Sequence, residues 1–392
     1  MTRRIAIVTG SRAEYGLLRP VITGVQAAAD LDLQLIVTGM HLSPEFGSTW
    51  REIEEDRVPI AARVEMLLGS DSAVGVTKST GLGMIGFADA FETLKPDLVV
   101  VLGDRFEILA AATAAMLAAI PIAHLHGGET TEGAFDEAIR HAVTKMAQLH
   151  FVAACPYRDR VIQLGEAPER VFEVGGLGVD AIGRVERLSR DQLESDLGID
   201  LSRRSLLVTF HPVTLDPDSA TAQFTTLLKA LDACEPDGTL IFTMPNADTG
   251  GRELMQIVKA YVADRPRAHA FTSLGQRRYF SLLAQVDAVI GNSSSGLLEA
   301  PSFHIGTLDI GDRQAGRLKA DSVISCAPDL EAIVAGLRRL RDPEFQARLP
   351  TVVNPYGSGG AGVAIVEVLR SVELNGLVKK HFHDLPVNKV MA

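Results

Sequence analysis

The sequence predicts an α/β protein whose two Rossmann-like lobes face a central cleft. The chain of 392 residues is too long for one ordinary core, since domains of about 150 to 200 residues are common. Short apolar runs alternate with stretches long enough for helices, which is the pattern of a parallel α/β sheet, and this alternation occurs in two series. Most runs end in a compact polar or glycine-bearing motif. Ligands of doubly wound sheets collect at such strand ends, so we expect the site between the lobes.

The two series of apolar runs give the strands of the two lobes. The first comprises residues 5–8, 33–37, 98–102, 120–125, 151–153 and 171–174. The second comprises residues 206–210, 240–244, 268–271, 288–290, 305–310 and 323–326. Between them lies the polar stretch 184–204, which is the predicted boundary. We therefore expect a first lobe of residues 1–183 and a second lobe of residues 184–359.

The composition indicates a globular protein with a small ligand. A formal net charge of −11 argues against nonspecific binding to nucleic acid or to an anionic membrane. The apolar segment 108–125 is rich in alanine and is interrupted by Pro121, so we expect no transmembrane span. The three cysteines form no C-x-x-C pair, and the N-terminal residues lack the pattern of a secretory signal. These features favour a reducing cytoplasm.

No cofactor is expected. The stretch Gly81-Leu-Gly-Met-Ile-Gly86 matches G-x-G-x-x-G, but it follows Val76-Thr-Lys-Ser-Thr80 and not a strand, so it is no dinucleotide fingerprint. We expect these glycines to allow close packing of a helix. No H-x-x-x-H pattern or comparable cluster of ligands indicates a metal.

The loop after the run 120–125 is the predicted catalytic centre. It carries Glu129 and Asp136 on a glycine-broken turn between a strand and a helix. Asp104 follows the preceding strand, and His211 follows the first strand of the second lobe. Such groups suit general acid and base chemistry. The alternatives are structural, because Asp136 could pair with Arg140 four residues later and Glu129 could cap the loop.

Three arginines each follow a strand-ending glycine by one or two residues. They are Arg12, Arg105 and Arg313. A guanidinium offers planar, bidentate donors, so together they indicate a nucleotide diphosphate. Singly, each could be an ordinary surface ion-pair residue.

The motif Gly291-Asn-Ser-Ser-Ser-Gly296 stands between an apolar run and a predicted helix. Unpaired backbone N–H groups at a helix start favour a phosphate, although a simple serine cap is the structural alternative. Glu299 lies one turn further, where its carboxylate could accept hydrogen bonds from the vicinal hydroxyls of a ribose.

The motifs together resemble those of the hydrolysing UDP-N-acetylglucosamine 2-epimerases of sialic acid biosynthesis, over nearly the whole chain. The shared stretches are Gly10-Ser-Arg-Ala-Glu-Tyr-Gly16, Val37-Thr-Gly-Met-His41, Gly103-Asp-Arg105, His126-Gly-Gly-Glu129, Ile139-Arg-His141, His211-Pro-Val-Thr214, Asn246-Ala-Asp-Thr-Gly250, Gly291-Asn-Ser-Ser-Ser-Gly296 and Gly311-Asp-Arg313. The resemblance implies a fold of the glycosyltransferase-B type, in which the last helices, here within residues 360–392, cross back to the first lobe.

The same resemblance implies roles for individual residues. Asp104, Glu129 and Asp136 would be the catalytic carboxylates, and His211 an active-site acid or phosphate partner. The nucleotide would lie among Arg12, Arg105, Asn246, Ser293, Ser294, Glu299 and Arg313.

The implied reaction is elimination of UDP from UDP-N-acetylglucosamine, followed by hydration to N-acetylmannosamine. An alternative substrate is UDP- or GDP-linked N,N'-diacetylbacillosamine, from the legionaminic acid pathway. The fold type also hosts glycosyltransferases, and a noncatalytic nucleotide-sugar sensor is an alternative of another class. The expected partners are the nucleotide-activated N-acetyl amino sugar and further copies of the chain, in a homodimer or homotetramer.

Overall fold

The computed structural model describes residues 2–70, 72–131, 135–212, 217–245 and 251–386. Two parallel sheets organise these residues. The first sheet has seven strands in the order β3-β2-β1-β4-β5-β6-β7, and the second has six in the order β10-β9-β8-β11-β12-β13. We call the halves built on them the first and the second lobe. The predicted duplication of an α/β plan is therefore confirmed.

The strands of the first lobe are β1 Arg3–Thr9, β2 Leu31–Thr38, β3 Ile60–Val64, β4 Leu98–Leu102, β5 Ile122–Leu125, β6 Leu149–Val152 and β7 Val171–Glu173. Its helices are α1 Arg12–Ala27, α2 Trp50–Glu55, α3 Ala73–Leu94, α4 Phe106–Leu117, α5 Asp136–Met146, α6 Cys155–Gln163 and α7 Leu177–Ile182. The central strands are buried along most of their length, and β4 along all of it, because helices cover both faces of a parallel sheet.

The strands of the second lobe are β8 Ser205–Thr209, β9 Thr239–Thr243, β10 Ala268–Phe271, β11 Ala288–Gly291, β12 Gly306–Ile310 and β13 Val323–Cys326. The remaining helices are α8 Arg190–Leu197, α9 Pro217–Cys234, α10 Gly251–Ala263, α11 Gly275–Leu283, α12 Ser295–Leu298, α13 Leu330–Arg339, α14 Pro343–Arg348 and α15 Ala361–Ser371. All strand pairings of this sheet are parallel.

The strand β3 was missed in the sequence. Its residues Ile60-Ala-Ala-Arg-Val64 carry few bulky apolar side chains, and their burial alternates because β3 pairs with β2 at the edge of the sheet. An edge strand does not need the continuous apolar run that marks a strand buried on both faces.

The last helix returns to the first lobe, where α15 packs against α1. Ile365 and Leu369 belong to the same apolar core as Leu18 and Val21. Short α7 contributes to both lobes, since Leu177 lies in that core and Ala181 in a core of the second lobe. We propose that the lobes divide at the end of α7, between residues 183 and 184, and again at residue 360.

The G-x-G-x-x-G pattern lies inside α3, and its glycines allow close packing as expected. A Cβ atom on Gly83 would lie 2.9 Å from Met66 Cε, and one on Gly86 would lie 2.7 Å from Val64 Cγ1. In the part of the chain that the structure describes, no helix is both long and apolar enough to cross a membrane.

Candidate active site

The strand order places the predicted residues at the reversal points of both sheets. In the first sheet β1 lies beside β4, and in the second β8 lies beside β11, although neither pair is consecutive in the chain. Loops that leave such neighbouring strands in opposite directions open a crevice at their carboxyl ends. Arg12 and Asp104 follow β1 and β4, and His211 and Ser293 follow β8 and β11.

Glu129 is buried in the loop after β5, with 2% of its surface exposed. Its Oε1 atom lies 2.6 Å from His126 Nδ1, and its Oε2 atom lies 3.2 Å from Arg317 Nη1. Burial raises the pKa of the Glu129 carboxyl, but the charge of Arg317 and the contact with His126 outweigh burial and lower the pKa below its usual value. Glu129 is therefore an anion at neutral pH.

The contacts of His126 define its tautomer. Its Nε2 atom accepts a hydrogen bond of 3.2 Å from the backbone N–H of Leu177, so Nε2 carries no proton. The proton is consequently on Nδ1, which donates to Glu129. His126 is thus a donor that fixes one carboxylate oxygen of Glu129.

The glycine pair before Glu129 is required by its surroundings. Gly128 has φ 77°, and a Cβ atom there would overlap the backbone carbonyl of Tyr157. Arg160 Nη1 donates to the Gly128 carbonyl oxygen. Two residues of α6, Tyr157 and Arg160, therefore fix the position of the predicted glycine-broken turn.

Asp104 is paired with Arg140, a buried residue of α5. Arg140 Nη2 donates to Asp104 Oδ2 and, at 3.0 Å, to Thr131 Oγ1. Only 2% of the surface of Arg140 is exposed, and this burial lowers the pKa of its guanidinium well below the usual value. Asp104 is therefore a partner of Arg140, the residue that the sequence offered to Asp136 as the structural alternative to a catalytic role.

Asp136 is the first residue of α5 and is half-buried. The next residue, Glu137, accepts a hydrogen bond from the backbone N–H of Thr131 and contacts His141 Nε2 at 3.0 Å. Burial raises the pKa of the Glu137 carboxyl, but these hydrogen bonds outweigh burial and lower it. Glu137 thus anchors the helix start while Asp136 occupies its tip.

His211 is held through its backbone by Asn292. The His211 N–H donates to Asn292 Oδ1 at 2.7 Å, and Asn292 Nδ2 donates to the His211 carbonyl at 2.8 Å. Arg313 Nη1 donates to the Asn292 carbonyl at 3.3 Å. The strand ends of β8, β11 and β12 are therefore joined around Asn292, and they bring His211 and Arg313 together.

The serine motif opens a helix of one turn only. The predicted helix start is present, because α12 covers four residues from Ser295, and a 3-10 turn, Ala300–Phe303, follows it. Ser294 precedes α12 with no side-chain cap, and Ser293 Oγ accepts a weak bond of 3.4 Å from the Ser295 N–H. Gly291 has φ 132° and lies so close to the Thr209 carbonyl that no Cβ atom fits.

Glu299 ends this turn and is 7% exposed. Burial raises the pKa of its carboxyl to about 7, although the Ser295 hydroxyl works in the opposite direction. Its Oε2 atom is buried without a hydrogen-bond partner. A buried acceptor of this kind can receive a hydroxyl from a bound ligand.

The two arginines of the first lobe have different surroundings. Arg12 lies against the second lobe, where Nη1 donates to Ser273 Oγ, and its Nε atom is 2.8 Å from Glu52 Oε2. Arg105 Nε donates to Glu107 Oε1 at 3.1 Å.

Glu14 is a second buried carboxyl group beside Glu107. It accepts a hydrogen bond of 2.5 Å from the Gly10 N–H, and burial raises the pKa of Glu14 to about 8.

The structure links four of the predicted residues in two sets, and the positions of Arg105, Asp136, Ser293, Ser294 and Glu299 are those given above. Asp104 and Glu129 are linked through Arg140, Thr131 and Arg317. The second set is His211 with Arg313. Arg12 instead lies at Ser273 and Glu52. Asn246 lies outside the described residues.

Sequence reasoning missed Arg317, the role of Arg140 and the role of Asn292. Asn292 stands inside a recognised motif, so attention to its amide could have found it. Arg317 stands in no strand-end motif, and its partners are about 187 residues away in the chain. Among the described ranges, no group of three or more His, Cys, Asp or Glu residues could hold a metal ion.

Comparisons with known proteins point to one family. Residues 23–370 match the family model of UDP-N-acetylglucosamine 2-epimerase. A "GDP/UDP-N,N'-diacetylbacillosamine 2-epimerase (hydrolyzing)" of Campylobacter jejuni is 41% identical and covers 98% of this chain and 99% of that protein. A "UDP-N,N'-diacetylbacillosamine 2-epimerase (hydrolyzing)" of Legionella pneumophila is 36% identical and covers 96% of this chain and 98% of that protein.

The fold is also that of solved structures. The crystal structure of a UDP-GlcNAc 2-epimerase from Neisseria meningitidis bound to UDP-GlcNAc matches with a TM-score of 0.81 at 19% identity. The match covers 93% of this chain and 99% of that one. At this identity the likeness concerns the fold, and it confirms the two-lobed type of the glycosyltransferase-B class.

Proposed function

The chain belongs to the UDP-N-acetylglucosamine 2-epimerase family, and from this membership we infer that it is a hydrolysing 2-epimerase of a nucleotide-activated amino sugar. The observation that carries the proposal is the buried Glu129 carboxylate, which is held as an anion between two lobes beside the Asp104 and Arg140 pair. Proton transfer at a sugar carbon needs such fixed acids and bases in a site with little water.

The reaction requires two stages. In the first, a base removes the C2 proton while the C1–O bond to the nucleotide breaks, which gives a 2-acetamidoglycal and a nucleoside diphosphate. In the second, water adds across the double bond, with hydroxyl at C1 and a proton at the opposite face of C2. We propose that Asp104, Glu129 and Asp136 divide these proton transfers.

The leaving diphosphate needs positive charge and hydrogen-bond donors. We propose that Arg105, Arg313 and His211 stabilise it, and that Ser293 and Ser294 bind its oxygens with their hydroxyl and backbone groups. Arg12 and Asn246 complete the nucleotide site in this proposal. Charge that develops on the diphosphate would then be met by groups from both lobes.

We propose N,N'-diacetylbacillosamine as the sugar of the substrate, linked to UDP or GDP. This preference is supported by the names of the Campylobacter and Legionella relatives, which are 41% and 36% identical over nearly the whole chain. A "UDP-N-acetylglucosamine 2-epimerase" of Neisseria meningitidis is 30% identical over 82% of the chain, so UDP-N-acetylglucosamine is the second candidate.

A substrate panel tests the proposal. The purified protein is incubated separately with UDP-N-acetylglucosamine and with UDP- and GDP-linked N,N'-diacetylbacillosamine, and the free sugar and nucleotide are measured by NMR and mass spectrometry. We expect fastest release from a diacetylbacillosamine donor, with inverted configuration at C2. Tight UDP binding without release of nucleotide from any donor would support the sensor alternative.

The proposed nucleotide-binding residues Glu299 and Arg313 give a prediction about UDP affinity. We expect Glu299→Gln or Arg313→Met to weaken UDP binding by about 1 to 3 kcal/mol, since each removes a charge-assisted hydrogen bond. Because the pKa of Glu299 is about 7, its carboxylate forms as pH rises from 6 to 8. Calorimetry should therefore show that the UDP affinity of the wild type increases relative to that of Glu299→Gln as the pH rises from 6 to 8.

The control for this measurement is Glu344→Gln, which changes an exposed carboxylate of α14. Its affinity for UDP should equal that of the wild type. Equal affinities in all of these variants would remove Glu299 and Arg313 from the nucleotide site.

We also propose that the protein acts in the cytoplasm and that its product enters sialic- or legionaminic-type acid synthesis.

We propose further that the protein is a homo-oligomer. The helix α3 exposes Val74, Leu82 and Ile85 on one face, and Ile85 is 66% exposed. Exposed apolar faces of this kind mark protein contacts. Light scattering should give a multiple of 42.0 kDa, and Ile85→Glu should shift the mass towards one chain. A wild-type mass of one chain would contradict self-association.

A further inference from the structure

The loop between β12 and β13 reaches from the second lobe into the catalytic loop of the first. We call residues 311–319 the bridging loop. Its Arg317 donates from Nε to the Thr130 carbonyl at 2.8 Å and from Nη2 to Thr131 Oγ1 at 3.1 Å. Its Nη1 atom lies 3.2 Å from Glu129 Oε2. One guanidinium therefore holds three consecutive residues of the opposite lobe.

Two buried tyrosines fix the bridging loop next to Arg317. The Leu318 N–H donates to Tyr157 Oη at 3.0 Å, and Tyr356 Oη donates to the Leu318 carbonyl at 3.1 Å. The two tyrosine hydroxyls lie 2.9 Å apart, which closes a ring of hydrogen bonds. Tyr157 belongs to α6 of the first lobe. The backbone beside Arg317 is therefore placed by contacts between the lobes.

The titratable groups that face Glu129 come from four parts of the chain. They are His124 and His126 near the end of β5, Arg317 in the bridging loop, Tyr157 in α6 and Tyr356 before α15. Burial lowers the pKa of His124 to about 3 and raises the pKa of both tyrosines. His126 Nε2 accepts a hydrogen bond from the Leu177 N–H. Arg317 is the cationic side chain of this group that contacts Glu129 directly, at Oε2, and the Arg140–Asp104 pair lies next to it through Thr131.

These contacts lead to one assignment, which rests on the proposed function for the role of Glu129. We propose that Arg317 is a positioning residue that sets the charge and the orientation of the Glu129 carboxylate from the opposite lobe. His126 holds the other oxygen and shares this task. Because Arg317 belongs to the second lobe, the carboxylate is fully ordered when the lobes are together. Closure on the substrate thereby completes the catalytic loop.

The test is the pH dependence of kcat/KM. A carboxylate base must be ionised, so activity falls on the acid side of its pKa. A nearby positive charge lowers a carboxyl pKa by about 1 to 3 units, so Arg317→Met should move the acidic limb upward by about one pH unit or more. Arg317→Lys keeps the charge and should leave the limb near its wild-type position, although turnover should fall because the three-pronged contact is lost.

The matched control is Arg252→Met. Arg252 Nη2 lies 2.9 Å from Glu45 Oε2. This contact is also an ion pair between the lobes, but both of its side chains are exposed. This variant should keep the acidic limb of the wild type. An unmoved limb in Arg317→Met would overturn the proposal, since a merely structural contact would lower activity without moving it.

A second measurement does not depend on turnover. Melting temperatures are compared for the wild type, Arg317→Met, Glu129→Gln and the double variant at pH 7. Loss of Arg317 alone leaves a buried carboxylate without its arginine partner, so the double variant should lose less than the sum of the two single losses. If no sugar nucleotide is turned over, the proposed function fails while this cycle still reports the contact. Additive losses would overturn the assignment of Arg317.

Discussion

Replacement of Asp104, Glu129 or Asp136 by its amide is expected to lower turnover by about 100-fold or more. An amide keeps the shape of the side chain and part of its hydrogen bonding, but it can neither accept the C2 proton nor return one during hydration. The contacts make the cases different. In Asp104→Asn the amide oxygen would still accept a hydrogen bond from Arg140, whereas Glu129→Gln would present an amide nitrogen to either His126 or Arg317.

The measurement is the initial rate of nucleotide release, with UDP affinity by calorimetry alongside it. Affinity should survive, because these side chains act on the sugar. Glu166→Gln is a matched control, since Glu166 is 2% exposed and is held by His150 and two lysines much as Glu129 is held by His126 and Arg317. It should alter stability and spare the rate. An equal loss of rate in Glu166→Gln would mean that folding, and not chemistry, had been changed.

Deuterium from the solvent should appear almost completely in the released sugar, and 18O from the solvent should not appear in the released nucleotide. In D2O the released sugar should carry about one deuterium at C2, because the original C2 proton leaves during elimination and a solvent deuteron is added during hydration. In water labelled with 18O the released nucleotide should contain no label, because the bond that breaks is C1–O and the oxygen stays with the phosphate. NMR of the sugar and mass spectrometry of the nucleotide measure both.

The result separates three reactions. Direct hydrolysis would release the sugar without deuterium at C2 and without inversion there. Attack of water at phosphorus would place 18O in the nucleotide. Either finding would contradict elimination followed by hydration. It would also mean that Asp104, Glu129 and Asp136 do not carry out the proposed proton transfers at C2. Sugar incubated without protein measures the background exchange at C2.

Much of the fold could be predicted from the sequence, because the strands that pack on both faces need continuous apolar residues. The run 98–102 was predicted in full for this reason, and β3 was missed because an edge strand has no such need. The family was also recognised correctly from short motifs at the strand ends. Those motifs are local, and local sequence is enough to reveal them.

The contacts inside the candidate site could not be predicted in the same way. The choice of Asp104 as the partner of Arg140 depends on how the exits of β4 and β5 face α5, which no spacing along one helix reveals. The contact of Arg317 with Glu129 joins different lobes and different sheets. The proposed roles of Asp104, Glu129, Asp136 and the nucleotide residues remain predictions for the experiments above.

The return of α15 to α1 has a consequence for synthesis on the ribosome. The face of α1 that carries Leu18 and Val21 is completed by Ile365 and Leu369, which are translated near the end of the chain. The apolar face of α1 in the first lobe therefore stays uncovered while the second lobe is synthesised. The strands of the second lobe are contiguous in the chain, so that lobe can fold as it emerges. The half that is made first is the half that is finished last, so a nascent chain halted before residue 361 would be open to chaperones and proteases at α1.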